Sequence, residues 1–289
     1  MTVRVFAWTT AVSQRVLRGL SQVFLQAHAG MGGCLLAAVA WQSLLLALGC
    51  LLGALAGTLC GQRLGARVDA DDAGLHGYNG ALVGIGVLTV LPPTGLAWAL
   101  VIVLSCLATW LAQAWRRHLP VSPYTAPFVL MIWLLQALIP LTGWLTADVV
   151  PPGLPADGWG GVANAVLRGV GQVMFLADPW AGAVCLLGLA LAGPRVLIRA
   201  LLASAAASGL AWAGGFPDEA VLLGLYGFNA VLLVEAVHQA LPGRFSALCL
   251  GVCASLLFMR AFQWLDLPPL TAPFVLATWL TCGVYRVRR

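Results

Sequence analysis

Three pairs of neutral polar residues recur along a chain that is otherwise strongly apolar. The pairs are Gln22 with Gln172, Asn79 with Asn229, and Thr125 with Thr271. Each of these side chains has an oxygen that accepts a hydrogen bond, and none carries a charge. A row of such oxygens would receive the N–H groups of a small neutral amide, whereas a cation would need carboxylates or a carbonyl cage and an anion would need Arg. The residue types therefore predict recognition of a small uncharged hydrogen-bond donor.

Flat or branched apolar residues stand close to these polar positions in the sequence. They are Val23, Leu25, Tyr78, Leu82, Val173, Phe175, Phe228 and Leu232. Together they would form a narrow slot in which a planar molecule slides between apolar walls while its edge bonds to the oxygens. Shape and hydrogen bonding would then both select the solute.

Each polar pair also has a structural explanation. Gln22 and Gln172 would serve equally well as hydrogen-bonded bridges between helices. Asn79 precedes a glycine, which is common in turns. Thr125 and Thr271 precede Ala-Pro, which is typical of a helix start where the hydroxyl caps free backbone amides. Such a cap is compatible with an oxygen that faces a pore, so the structural and functional explanations both stay open.

Charged residues show no comparable pattern. Glu235 follows an apolar run, has His238 one helical turn further on and matches Ile85 in the first half, so we expect an interfacial or locally paired side chain. Asp178 before Pro179 is typical of a turn or a helix cap. No nucleophile, base and orienting acid recur together, and the cysteines have no CxxC spacing or partnering histidine. We therefore predict no enzymatic activity, no metal site and no cofactor.

The elements that position the polar pairs must cross a membrane. The chain is 61% hydrophobic and only 9% charged, with a mean hydropathy of +0.93, whereas soluble domains average about 25% charged residues. Apolar runs at 34 to 56, 95 to 115, 124 to 142 and 268 to 285 have roughly the 18 to 25 residues that a crossing helix needs. A barrel would alternate apolar and polar residues, and these runs do not. The sequence predicts an all-α integral membrane protein that is embedded in the lipid bilayer.

The positive charge reports on topology. The net charge is +5, and all fifteen basic residues are arginine. Many lie in connectors and near the ends, at Arg4, Arg15, Arg18, Arg63, Arg67, Arg116, Arg117, Arg286, Arg288 and Arg289. Basic residues are retained on the cytoplasmic side, so we expect both termini inside, an even number of spans and a place in the cell (inner) membrane. No basic patch is interleaved with aromatic residues, so nucleic acid is not an expected partner.

Three blocks of sequence occur twice in the same order. LRGLSQV at 17 recurs as LRGVGQV at 167, and GLHGYNGALV at 74 recurs as GLYGFNAVLL at 224, both at an offset of 150 residues. SPYTAPFVLMIWL at 122 recurs as PPLTAPFVLATWL at 268, with nine of thirteen positions identical. The order indicates a duplicated and fused gene. We predict a first repeat at 1 to 147, a polar Pro/Gly-rich connector at 148 to 161 and a second repeat at 162 to 289.

We expect about five crossings in each repeat plus one short re-entrant or half-spanning helix, because Gly-rich pieces such as 74 to 91 are too short for a plain crossing helix. An odd number of crossings forces the second repeat to insert upside down. Two inverted-topology repeats would then face each other across a pseudo-two-fold axis, with the substrate site where they meet. Broken helices are tolerated at that depth where they line a cavity, which predicts that the motifs lie at a pore.

These motifs resemble the urea transporter family. The residues that carry the resemblance are PYTAPF and PLTAPF, GYNGALVG and the two RGxxQV segments, and it covers almost the whole chain. The resemblance implies a homotrimer in which each protomer has its own channel-like pore between two inverted halves. Urea would pass down its gradient without coupling to ions.

The resemblance also implies roles for individual residues. Gln22 with Thr271, and Gln172 with Thr125, would supply two oxygen ladders, with the pairing dependent on the fold. One slot would be lined by Val23, Leu25, Tyr78 and Leu82, and the other by Val173, Phe175, Phe228 and Leu232. The two threonines would also form the middle constriction.

The chain departs from the family pattern near one slot. Leu25 stands where the family usually has Phe, and Tyr78 stands where Phe is frequent. The usual Asn pair is altered to Ala27 and His28 in the first half, and to Ala177 and Asp178 in the second. One slot has thereby lost an aromatic wall, which bears on affinity and on the choice among small amides.

Other solutes define the alternative function. A channel for ammonia, formate or another small amide would also pass a small molecule through an apolar protein. Ammonia channels would use paired pore histidines and formate channels a protonatable one, and no His pair recurs in the two halves.

Overall fold

A computed structural model describes residues 2 to 65, 73 to 144, 146 to 147 and 159 to 287, with the side chains of 2 to 10, 159, 160 and 287 left aside. All regular elements in these residues are helices. The chain divides into two compact units, Met1–Val150 and Pro151–Arg289. Arg67, Arg288, Arg289 and most of the predicted connector at 148 to 161 lie outside the described residues.

The first unit contains six described α-helices. They are α1 (Thr2–Gln22), α2 (Ala29–Gln42), α3 (Leu44–Arg63), α4 (Tyr78–Val90), α5 (Gly95–His118) and α6 (Ala126–Thr142). The short helix α4 is buried along nearly its whole length, from Tyr78 to Leu88. Glycines bring α3 against it, because a Cβ on Gly53 would overlap the carbonyl oxygen of Gly80 and a Cβ on Gly84 would overlap that of Gly49.

The second unit repeats this order of elements. It contains α7 (Trp159–Gly171), a 3-10 turn (Gln172–Met174), α8 (Pro179–Ala192), α9 (Pro194–Ala213), α10 (Asp218–Leu222), α11 (Gly227–Ala240), α12 (Phe245–Trp264) and α13 (Ala272–Val287). The helix α11 corresponds to α4 and is likewise buried from Gly227 to Val237. Each unit therefore holds one short buried helix that carries the repeated Asn.

Length and composition make four of the described helices able to cross a membrane: α3, α5, α9 and α12. The segments Gly161–Met174 and Pro179–Ala192 pass the same test together, with a bend of 72° between them, which raises the number to five. Large apolar side chains are exposed on these helices, as at Leu202, Trp212 and Leu257. The chain is thus a multi-pass helical membrane protein, and five crossings in each half remains a prediction.

The apolar run at 34 to 56 was expected to form one crossing helix, and this expectation is wrong. The run is divided between two helices, α2 and α3, that meet at Ser43. The backbone of Ser43 is extended with φ −159°, and its N–H donates to the carbonyl of Val39 at 2.8 Å, which ends α2. Its hydroxyl accepts the N–H of Leu46 at 3.3 Å and so caps α3. The run at 95 to 115 is helical throughout, as predicted, whereas the runs at 124 and 268 become helices of 17 and 16 residues.

Candidate functional site

The chain leaves the first helix of each unit through a tight turn at the repeated glutamine. Leu25 donates its N–H to the carbonyl of Gln22 at 2.9 Å, and Phe175 donates to Gln172 at 3.1 Å. Leu25 has φ 59° and Phe175 has φ 63°. Positive φ is uncommon for bulky residues, and such strain concentrates at functional sites. Two predicted slot residues therefore occupy the same strained backbone position in the two units.

The glutamine side chains are held by their nitrogen atoms. Gln22 Nε2 donates to the carbonyl of Ala73 at 3.0 Å, and Gln172 Nε2 donates to that of Leu223 at 3.1 Å. Both side chains are half-buried. The amide nitrogen thus makes the bridge between segments that we considered from sequence, and it fixes the amide so that Oε1 is presented as an acceptor.

The remaining predicted slot residues lie on the elements packed around these turns. In the first unit α1 packs against α4, and in the second the 3-10 turn and α7 pack against α11. The slot residues on these elements that are buried are Val23, Tyr78, Leu82, Val173, Phe228 and Leu232. Leu25 and Phe175 are half-buried. Each unit therefore gathers its own glutamine and apolar residues, and their place along a pore remains a prediction.

Asn79 binds the start of α6 from a distant part of the chain. Its Oδ1 accepts the N–H of Phe128 at 3.1 Å, and its Nδ2 donates to the carbonyl of Tyr124 at 3.3 Å. The residue lies in the first turn of α4 and is fully buried. The expected turn at Asn79 is therefore wrong, and the residue instead supplies the cap of another helix.

Asn229 makes the corresponding contacts in the second unit. Its Oδ1 accepts the N–H of Phe274 at 3.0 Å, and its Nδ2 lies 3.5 Å from the carbonyl of Leu270. Tyr124 and Leu270 precede the two threonines directly, and both have φ 45°. Each asparagine thus holds a strained peptide just before a repeated threonine.

The threonines stand at helix starts, as predicted, but Thr125 does not cap its helix with its side chain. Thr125 precedes α6, Pro127 lies in the first turn, and the hydroxyl makes no capping hydrogen bond. Pro127 has no N–H, and the next amide, that of Phe128, is already bonded to Asn79. Thr125 and Thr271 are buried, with 2% and 3% of their surface exposed.

Two of the four residues that stand in place of the family's Asn pairs, His28 and Asp178, are helix caps. His28 Nδ1 accepts the N–H of Met31 at 3.0 Å at the start of α2. Asp178 Oδ1 accepts the N–H of Ala181 at 3.0 Å at the start of α8, which confirms the expected cap. Both side chains thus satisfy a free amide in the first turn of a helix.

Sequence reasoning missed a buried ion pair in the second unit. Arg199 Nε lies 2.7 Å from Glu235 Oε1, and Arg199 Nη2 lies 2.8 Å from Oε2. The Glu235 side chain is 1% exposed and that of Arg199 is 22% exposed. Glu235 is therefore paired with Arg199, 36 residues away in the chain, whereas the sequence pointed to an interfacial side chain or to local pairing. The signal was present in the offset of 150 residues, because both charges are replaced together in the first half, by Gly49 and Ile85.

Apolar membrane-capable helices, with neutral polar residues set in a buried part of each unit, are the features of an integral membrane protein. Residues 13 to 286 match the family model described as urea transporter. The chain therefore belongs to the urea transporter family. It is 27% identical to urea transporter 1 of Ovis aries over 292 residues, covering 92% of this chain and 75% of the relative. Urea transporter 1 of Rattus norvegicus is 28% identical over 294 residues, with the same coverage.

Proposed function

We propose that this protein is a channel-like facilitator that carries urea down its gradient without coupling to ions. The observation that carries the proposal is the urea transporter match over residues 13 to 286. The anchored amides of Gln22 and Gln172 support it, because each offers an uncharged oxygen acceptor. A transporter of this kind needs no catalytic group.

The chemistry of urea fits uncharged acceptors beside apolar walls. Urea is planar, has four N–H donors and one carbonyl, and carries a dipole but no net charge. Gln22 with Thr271, and Gln172 with Thr125, would accept its N–H groups in two ladders, and the apolar slot residues would contact its faces. An ion in the same place would lose several kcal/mol of hydration without replacement.

The finer architecture belongs to the same proposal. The two units would be inverted repeats with the pore between them in each protomer, and three protomers would form a homotrimer. Both termini would lie in the cytoplasm, beneath the cell (inner) membrane. The duplicated blocks support the inverted repeats, and the arginines near both ends support the cytoplasmic termini. The homotrimer is proposed from the family resemblance alone.

Stopped-flow light scattering tests the proposed transport. Proteoliposomes would meet an inward urea gradient, with protein-free vesicles as the control. Reswelling faster than the control, and unchanged when ion gradients are collapsed, is the expected result. Flux equal to that of empty vesicles would contradict urea transport, and the same assay with ammonia, formate and other small amides would then test the alternative solutes.

A further inference from the structure

One difference between the two threonine sites is a hydroxyl group that Tyr78 supplies in the first unit. Tyr78 donates its hydroxyl to the carbonyl of Tyr124 at 2.6 Å, and Asn79 Nδ2 donates to the same oxygen at 3.3 Å. Phe228 occupies the matching place in the second unit and has no hydroxyl. The first unit therefore has a three-point clamp, formed by the Tyr78 hydroxyl and both ends of the Asn79 amide.

The clamp acts on the peptide that carries Thr125. The Tyr124 carbonyl and the Thr125 N–H belong to one planar peptide group. A left-handed residue such as Tyr124, with φ 45°, is held in that conformation only by its surroundings. Fixing its carbonyl with two donors therefore fixes the direction in which Thr125 leaves the turn. The amide of Phe128, bonded to Asn79 at 3.1 Å, secures the other side of Thr125.

The corresponding grip in the second unit is weaker. Asn229 Nδ2 lies 3.5 Å from the Leu270 carbonyl, at the outer limit of a hydrogen bond. Leu270 has the same φ of 45° as Tyr124. Before Thr271, the strained turn is held by the long contact from Asn229 to the Leu270 carbonyl. Before Thr125, the Tyr124 carbonyl accepts the Asn79 amide and, in addition, the short hydrogen bond from the Tyr78 hydroxyl.

We propose that Tyr78 is a positioning residue for Thr125, and that its hydroxyl makes the first unit's threonine site the stricter of the two in choosing among small amides. The inference rests on the proposed function, in which the Thr125 oxygen meets the solute. Tyr78 acts through the Tyr124 peptide rather than by touching urea with its hydroxyl. Tyr78 stands where Phe is frequent in the urea transporter family, and the proposal gives its additional hydroxyl a function.

Tyr78→Phe tests the proposal, because it removes the hydroxyl and keeps the ring. The ratio of urea to N-methylurea permeability in proteoliposomes should fall by about two- to tenfold, the value of one ordinary hydrogen bond in an equilibrium constant. Tyr226→Phe is the matched control, since it removes a buried hydroxyl that donates to Gln263 at 2.9 Å rather than to the residue before a threonine. An unchanged ratio in Tyr78→Phe, or an equal fall in both variants, would overturn the proposal.

Phe228→Tyr provides the reciprocal test and does not depend on the folding of Tyr78→Phe. The added hydroxyl would reach the Leu270 carbonyl and complete a second clamp. The permeability ratio of urea to N-methylurea should rise by about two- to tenfold. A folded variant with an unchanged ratio would count against control of selectivity by the clamp.

Hydrogen exchange separates failure of the clamp from failure of urea transport. In the unaltered protein the amides at 126 and 128 to 130 should exchange more slowly than those at 272 and 274 to 276. Tyr78→Phe should speed the first set by about two- to tenfold. Unaltered exchange would overturn the clamp, whatever the vesicles transport. Faster exchange in a protein with no urea flux would keep Tyr78 as a positioning residue and reject urea as the solute.

Discussion

At an ordinary helix start, one residue both occupies the cap position and bonds a free amide of the first turn. At the start of α6 these two roles belong to different residues, Thr125 and Asn79. Asn79 accepts the N–H of Phe128 and so satisfies the first turn of α6. Thr125 occupies the cap position without a capping bond. Removing the Thr125 hydroxyl therefore leaves the amide of Phe128 bonded to Asn79.

Replacing both threonines by the isosteric valine tests the oxygen ladders. Thr125→Val with Thr271→Val should keep the assembly intact and lower urea flux by about tenfold or more, because a desolvated donor that loses its acceptor costs about 1 to 3 kcal/mol. Stopped-flow flux and size-exclusion chromatography of the purified variant check the two statements. Unchanged flux in the double variant would remove the threonines from the pathway.

Leu25 offers a gain-of-affinity test. The backbone angles of Leu25 and Phe175 are nearly equal, with φ 59° and 63°, so Phe fits the first turn as it fits the second. Leu25→Phe should tighten urea binding by about two- to tenfold, corresponding to the roughly 0.5 to 1.5 kcal/mol of a favourable aromatic contact. Isothermal titration measures the change, and Phe175→Leu is the opposite control. No change, or weaker binding in Leu25→Phe, contradicts the slot assignment.

The sequence showed which polar residues recur in the two halves. It did not show which side chains form hydrogen bonds with residues that are distant in the chain. The caps at Asp178 and the helix starts after Thr125 and Thr271 follow from neighbouring residues, so they were accessible. The bond from Asn79 to Phe128 joins residues 49 positions apart. Local turn chemistry therefore gave the wrong role for Asn79, because its partner is brought near only by the packing of α4 against α6.

The two units pack their corresponding helices in different ways. In the first unit Gly49 lets α3 approach α4, where a Cβ would lie 2.8 Å from the carbonyl oxygen of Gly84. In the second unit the matching helices α9 and α11 are joined by Arg199 and Glu235. Close backbone contact and a bidentate ion pair are thus alternative ways to join the same two elements.

The ion pair predicts a non-additive stability pattern. Arg199→Ala alone removes the bidentate cation from a carboxylate that is 1% exposed, and should lower the free energy of unfolding by about 3 to 5 kcal/mol. Adding Glu235→Ile, the residue of the first unit, should recover most of that loss, since an apolar replacement of a buried pair is often neutral. Denaturant unfolding in detergent measures both variants. A double variant as unstable as the single one would contradict this account.

Hydropathy predicted apolar segments better than it predicted helices. The run at 95 to 115 corresponds to α5, because Thr94 accepts the N–H of Ala97 and opens one long helix. The run at 34 to 56 hides a break at Ser43, which with Gln42 forms a short polar interruption in an apolar stretch. Averaging over a window removes such a residue, although its backbone ends one helix and its hydroxyl starts the next.

At the scale of the whole molecule, duplication and charge together define a topology that can be tested. The units run from Met1–Val150 and from Pro151–Arg289, and each carries one glutamine turn, one buried asparagine helix and one threonine site. An odd number of crossings in each unit would place corresponding loops on opposite sides of the membrane. An even number would place them on the same side, as in a parallel repeat.

Cysteine labelling of two corresponding loops distinguishes these arrangements. Pro93 lies between α4 and α5, Pro242 lies between α11 and α12, and both are exposed. With the eight native cysteines replaced, Pro93→Cys and Pro242→Cys should react with an impermeant maleimide from opposite sides. Cysteine at Arg286, near the C-terminal end of α13, should react only from inside, because arginine-rich ends are retained in the cytoplasm. Labelling of both loops from the same side would reject the inverted arrangement. That result would not contradict the hydrogen bonds described within each unit, because these bonds do not depend on how the second unit inserts.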